Sequence, residues 1–188
     1  MRREQLTLAA LALAGLATGC KPPPTDSDTA RAATIVSLKA PSAPQPSPDT
    51  TNAVWRVSEK QAGRLVYGIP GEPALLALEC LAATDDAPAA IRIARYAPAD
   101  KDAGALLALI GNGAIARLEV DAVREGQRQF WQGQAPAQSL AWEPLNGPRE
   151  ITATVPGAGL VRLNPSALPM EFLAQCRSYG LAEPASPQ

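Results

Sequence analysis

A mainly β fold, a small antiparallel sandwich or barrel with one C-terminal helix, is what this chain of 188 residues predicts. Two observations carry that expectation. From Asn52 onward, short apolar or alternating runs recur every 8 to 15 residues or so between Gly, Pro and Asn, too closely for crossover helices between parallel strands. Within them, residues 106–110 and 114–120 flank Gly111-Asn112-Gly113. Asn-Gly between two alternating runs is the strongest short-range hairpin signal, because a type I′ turn needs positive φ at both central positions.

The chain opens with Arg2 and Arg3, an apolar stretch over 6–17, then Ala17-Thr18-Gly19-Cys20. About a dozen apolar residues suit a signal peptide and fall short of the roughly 20 that cross a bilayer. The small residues ahead of Cys20 resemble the lipobox of bacterial lipoproteins. That resemblance implies removal of residues 1–19, diacylglycerol on the Cys20 sulfur, and an acyl chain such as palmitate on its amine. Several acyl chains hold a membrane far better than one. Lys21 stands where an inner-membrane retention signal would carry Asp, so the expectation is an outer-membrane lipoprotein with its domain in the periplasm.

Residues 20–51 read as a disordered, proline-rich tether, from Pro22-Pro23-Pro24 to Ala43-Pro44-Gln45-Pro46-Ser47-Pro48, composed of residues that bury too little apolar surface to offset ordering entropy. Residues 52–188 then form one domain, large enough for a single core. Strands are expected at 54–57, 64–67 and 74–80, the last placing Leu76, Leu78 and Cys80 on one face and Glu79 on the other. Ile91 and Ile93 mark the next strand, and the 106–120 hairpin follows. Further strands are expected at 129–132, 139–142, 150–155 and 159–163. Ser166 caps a helix beginning near Leu168-Pro169-Met170, with Phe172, Leu173 and Cys176 on its inner face.

Cys80 and Cys176 both fall on inward faces, and in an oxidising compartment they are expected to form a disulfide; two buried thiols are the alternative. The chain has no histidine. Ser-His-Asp hydrolysis, a Cys-His nucleophile and histidine-ligated zinc are therefore excluded by inventory. No catalytic residue, metal ligand or cofactor site is assigned. The acidic clusters at Asp85-Asp86, Asp100-Lys101-Asp102 and Glu119-Val120-Asp121 sit in loops or at strand ends, where solvated acids are ordinary. Without residues 1–19 the net charge moves from −1 to −2, since Arg2, Arg3 and Glu4 are lost. That balance does not favour nucleic acid.

Recognition is sought among the aromatics. Phe130 and Trp131 are adjacent in a strand and must point to opposite faces. An exposed Trp131, with Arg128 and Gln132 beside it, is the candidate binding surface. The stretch Phe130-Trp131-Gln132-Gly133-Gln134-Ala135 resembles the F-W-x-x-G-x-x-A segment of membrane-bound inhibitors of C-type lysozyme, which implies a small lipid-anchored barrel that blocks an enzyme. The domain also resembles uncharacterised envelope lipoproteins. The expected function is a noncatalytic, lipid-anchored binding or structural module that touches the membrane through Cys20 and meets an envelope protein or peptidoglycan. A lysozyme inhibitor is the alternative, and a carboxylate-based hydrolase the third option.

Overall fold

Period-two alternation organises the chain into antiparallel strands, and a computed structural model describes residues 43–178 of it. Cys20, the signal segment, the tether before residue 43 and everything after Ser178 lie outside the described residues. The strands are β1 (Val54–Val57), β2 (Arg64–Gly68), β3 (Leu76–Leu81), β4 (Ala90–Arg95), β5 (Gly104–Gly111), β6 (Ala114–Glu125), β7 (Arg128–Pro136), β8 (Ile151–Thr154) and β9 (Leu160–Leu163). A 3-10 helix (Leu140–Leu145) follows β7, and α1 (Leu168–Ser178) follows β9. All pairings are antiparallel, in the order β1-β2-β3-β4-β7-β6-β5-β8-β9, and the sheet curls into a nearly closed barrel.

Inward residues of successive strands form the core, among them Leu65, Tyr67, Leu76, Leu78, Ile91, Ile93, Leu107, Leu109, Val161 and Leu163. Side chains link β2 and the segment before β1 to β9 and the residue after it. Tyr67 donates its hydroxyl to the Arg162 carbonyl at 2.8 Å and accepts from the Asn164 amide at 3.0 Å. The Asn164 side chain donates to the carbonyls of Thr50 and Ala53 at 2.7 and 2.8 Å. Four hydrogen bonds thus stand where a ladder would close the barrel.

The β5–β6 hairpin forms as expected, with φ of 49° at Asn112 and 82° at Gly113. Asparagine is also needed there for its side chain. It donates to the carbonyls of Pro144 and Gly147 and accepts from the Arg149 amide, at 2.9, 3.2 and 3.1 Å. Strand β6 is shared between neighbours. Residues 114–121 pair with β5, residues 121–125 pair with β7, and Asp121 belongs to both ladders. At the corner where β6 leaves β7, a Cβ on Gly133 would lie 2.2 Å from the Glu119 carbonyl oxygen. Only glycine allows that crossing.

Two expectations are corrected. Residues 139–142 do not form a strand. Ser139 accepts from the Ala141 amide and Pro144 lies inside the turn, so the segment coils into the 3-10 helix, where the buried Trp142 indole donates to the Pro136 carbonyl at 3.0 Å. The chain assigned to the tether as far as Thr51 is docked from Gln45 onward. The Gln45 amide donates to the Gly157 carbonyl at 2.8 Å, Ser47 Oγ accepts from the Leu160 amide at 3.0 Å, and Thr50 is buried. Backbone groups of the β8–β9 turn hold it, which its own composition does not announce.

Helix α1 begins where Ser166 Oγ accepts from the Leu168 amide and buries Leu173 and Cys176. Cys80 and Cys176 form a disulfide across a sequence separation of 96. Arg177 adds bonds to the Ala137 carbonyl and to Glu143 Oε1, at 3.0 and 3.2 Å, tying α1 to the 3-10 helix. Together these elements cover the end of the barrel where β3 finishes and β4 starts. The opposite end, with the β2–β3, β4–β5 and β6–β7 connections, carries a surface groove, and a second depression runs from it along the outer face of the sheet.

Candidate functional site

Strand alternation sends Ile91, Ile93 and Arg95 of β4 inward and Arg92, Ala94 and then Tyr96 outward. Arg95 pairs directly with Trp131, so Trp131 also faces the core. It is 7% exposed and belongs to the core cluster, and its indole nitrogen has no hydrogen-bond partner among the described residues. The expectation of an exposed Trp131 anchor is therefore corrected: the outward aromatic is Phe130. Phe130 packs against Tyr96 with ring centroids 5.0 Å apart. That tilted pair buries most of the Phe130 ring while leaving its edge in the wall of a groove.

The groove holds about 860 Å³, within the range of small-ligand sites. One wall is the loop into β3, with Pro73, Ala74 and Leu75; the other is the loop out of β4, with Ala97, Pro98 and Ala99. Phe130 and Tyr96 lie between them, and Arg128, from the candidate surface, is on the rim with Gln127, Gln129 and Glu72. A second depression, about 370 Å³, adjoins it and shares Tyr96 and Phe130. Gln132, the other predicted surface residue, lines this one. Of the three predicted residues, Arg128 and Gln132 thus come together around the aromatic pair, and Trp131 does not.

The second depression exists because its floor is made of small side chains. Ala77 and Ala94 are direct partners on β3 and β4, face outward, and are nevertheless only 2% and 6% exposed, because longer side chains stand over them. Those side chains form a polar ring. Gln61 donates to Glu79 Oε1 at 2.7 Å, Arg92 pairs with Glu79 Oε2 at 3.3 Å, and Arg64 donates to Gln61 Oε1 at 2.9 Å and to the Tyr96 hydroxyl. Arg124 and Glu125 line the β6 side. Burial raises the Tyr96 phenol above the ordinary tyrosine value, with the Arg64 charge pulling the other way.

Behind the wall shared by Leu75 and Tyr96 lies Arg95, 3% exposed. Its guanidinium donates to the carbonyls of Leu75, Tyr96 and Ala158 at 3.2, 3.2 and 2.9 Å, and no carboxylate pairs with it among the described residues. Burial alone pushes it down to about 10, so it stays a cation at neutral pH. The acidic clusters lie elsewhere: Asp85, Asp86, Asp102, Glu119 and Asp121 are exposed, and neither depression includes them. Among the described residues no group of three or more Cys, Asp or Glu is placed to hold a metal.

Tyr96 lies in no motif of the sequence. Parity along β4 would have found it, since it continues the outward series of Arg92 and Ala94. Fold and site together define a class: a small, disulfide-closed antiparallel barrel with an aromatic groove beside its mouth. No family model, curated protein or solved structure matches the chain.

Proposed function

We propose that this chain is a lipid-anchored protein of the bacterial envelope, tethered through Cys20 to the outer membrane, whose periplasmic barrel is a noncatalytic binding module. The ligand is a peptide segment of an envelope component, taken into the groove at Phe130 and Tyr96. One observation carries the reading: a groove with an aromatic pair at its base, prolines in both walls and amide side chains at the rim, the combination that suits an extended peptide. The lysozyme-inhibitor alternative gains nothing from the geometry. In the stretch that resembles those inhibitors, Trp131 fills the core and Gly133 permits the β6 crossing. A carboxylate hydrolase gains as little, since Glu79 is held by Arg92 and Gln61.

Two measurements test the proposal. Labelled palmitate should enter the wild-type protein in cells and not the Cys20→Ser variant; equal labelling contradicts the anchor. Mature protein should retain a peptide-containing component from solubilised envelopes, and Phe130→Ala should lose it while Ile115→Ala, at an exposed position away from the groove, keeps it. Retention that ignores Phe130 contradicts the groove as the binding site.

A further inference from the structure

Building on the groove reading, we infer that the bound peptide carries a free carboxylate, seated in the second depression between Arg64, the Tyr96 hydroxyl and Arg124, with its apolar residues lying along Phe130 in the groove. The two depressions share Tyr96 and Phe130, so one short chain can occupy both.

The charge arrangement selects the anion. Arg64 has neutral hydrogen-bond partners, Gln61 and Tyr96, and among the described residues no carboxylate forms an ion pair with it. Because the Tyr96 oxygen accepts from Arg64, the phenol proton remains free to donate to a ligand oxygen, the complementary half of a two-donor carboxylate seat. Arg124 is exposed on the facing strand, bonded through Nε to the Gly126 carbonyl at 3.1 Å. Behind the wall, the Arg95 cation, held by carbonyls and with no carboxylate paired to it among the described residues, adds positive potential in a medium of low dielectric. This concentration of arginine stands on a chain whose formal net charge is −1.

The same ring limits the charge of the ligand. Glu79 and Glu125 also line the depression, and Glu72 the groove. A monoanion balances such a rim, whereas a phosphate dianion would meet nearby carboxylates. The apolar walls supply the rest of the preference: Leu75, Ala97 and the prolines favour a short aliphatic or proline-containing segment over a saccharide, which would leave its hydroxyls against surfaces that cannot hydrogen-bond them.

The test uses the full mature protein in detergent and a panel of N-acetylated tripeptides of alanine, leucine and proline, each made as the free acid and as the C-terminal amide, titrated by NMR. The acids should bind about tenfold more tightly than the amides, the worth of one charge-assisted pair. Arg64→Gln should remove that difference, Arg64→Lys should restore part of it, and Arg124→Gln should reduce it, while Ile115→Ala, at an exposed position outside both depressions, should leave both affinities unchanged. Acids and amides binding equally, with both lost in Phe130→Ala, would overturn the carboxylate assignment and leave the groove reading standing. No binding by either series overturns both. Inorganic phosphate displacing the acids as well as acetate does would refute the preference for a monoanion.

Discussion

Replacing both Cys80 and Cys176 by alanine tests how the barrel end is held. The bridge closes a loop with a sequence separation of 96, and the chain-entropy relation gives about 4.7 kcal/mol for a loop of that size. Cys176 is fully buried, so its truncation also removes packing against the strand ends. Set against the roughly 5 to 15 kcal/mol that holds a typical domain together, the loss is a large share of the total. A domain of this length should melt about 15 °C lower. Urea denaturation of oxidised wild type and the double-alanine variant, at equal pH and with two optical probes, measures the difference. Peptide binding by the folded fraction should survive, because the groove lies at the opposite ends of β3 and β4 from the disulfide. A stability loss below about 1 kcal/mol would show that α1 and the strand ends stay together without the bridge, and would refute the entropic argument.

Removing the seam hydroxyl, Tyr67→Phe, takes away one bond to Arg162 and one from Asn164; it should cost about 1 to 3 kcal/mol and speed hydrogen exchange in β1 and β9 ahead of the other strands. Exchange that rises uniformly would contradict a side-chain seam. Asn112→Ala loses three hydrogen bonds and places alanine at φ 49°, so a loss of about 2 kcal/mol or more is expected, and a value near zero would mean the hairpin tip contributes nothing. At high pH, burial raises both Tyr67 and Tyr96 above the ordinary value. The unfolded chain therefore releases these protons first, and their contribution is complete below about pH 10 and lost as pH rises through the folded values. Arg95, depressed to about 10, acts the other way above that pH, because the unfolded chain then binds the extra proton. Ultraviolet titration of phenolate in Tyr67→Phe and Tyr96→Phe should identify both as late-titrating, and ordinary titration of either would contradict its burial.

Much of the fold was legible because its signals are local. The Asn112-Gly113 turn needs positive φ, and β3 declares its buried face through Leu76, Leu78 and Cys80. The disulfide followed from two inward faces. The choice between Phe130 and Trp131 depended on parity, and the information was present: Gln132 and Gln134 share Phe130's face, while Gly133 and Ala135 share that of Trp131. Polar residues on the even positions mark the outer face, so Phe130 belongs outside. The 3-10 helix was likewise marked by Ser139 and Pro144. Other features depend on distant partners. Arg95 occupies an inward position that its charge disguises, and only the carbonyls of Leu75, Tyr96 and Ala158 make it tolerable there. The docking of residues 45–50 depends on Gly157, Leu160 and Asn164, more than a hundred positions away in sequence.

The proposed ligand site is the groove at Tyr96 and Phe130. Site-specific photocrosslinking in living cells probes contact there, with the reactive residue at position 130 in the groove and, as a control, at position 115, which is exposed and lies outside it. A discrete adduct is expected from position 130, with a mass spectrum that contains a peptide carrying a free carboxylate, and none from position 115. The same adduct from both positions, or one from position 115 alone, would contradict it.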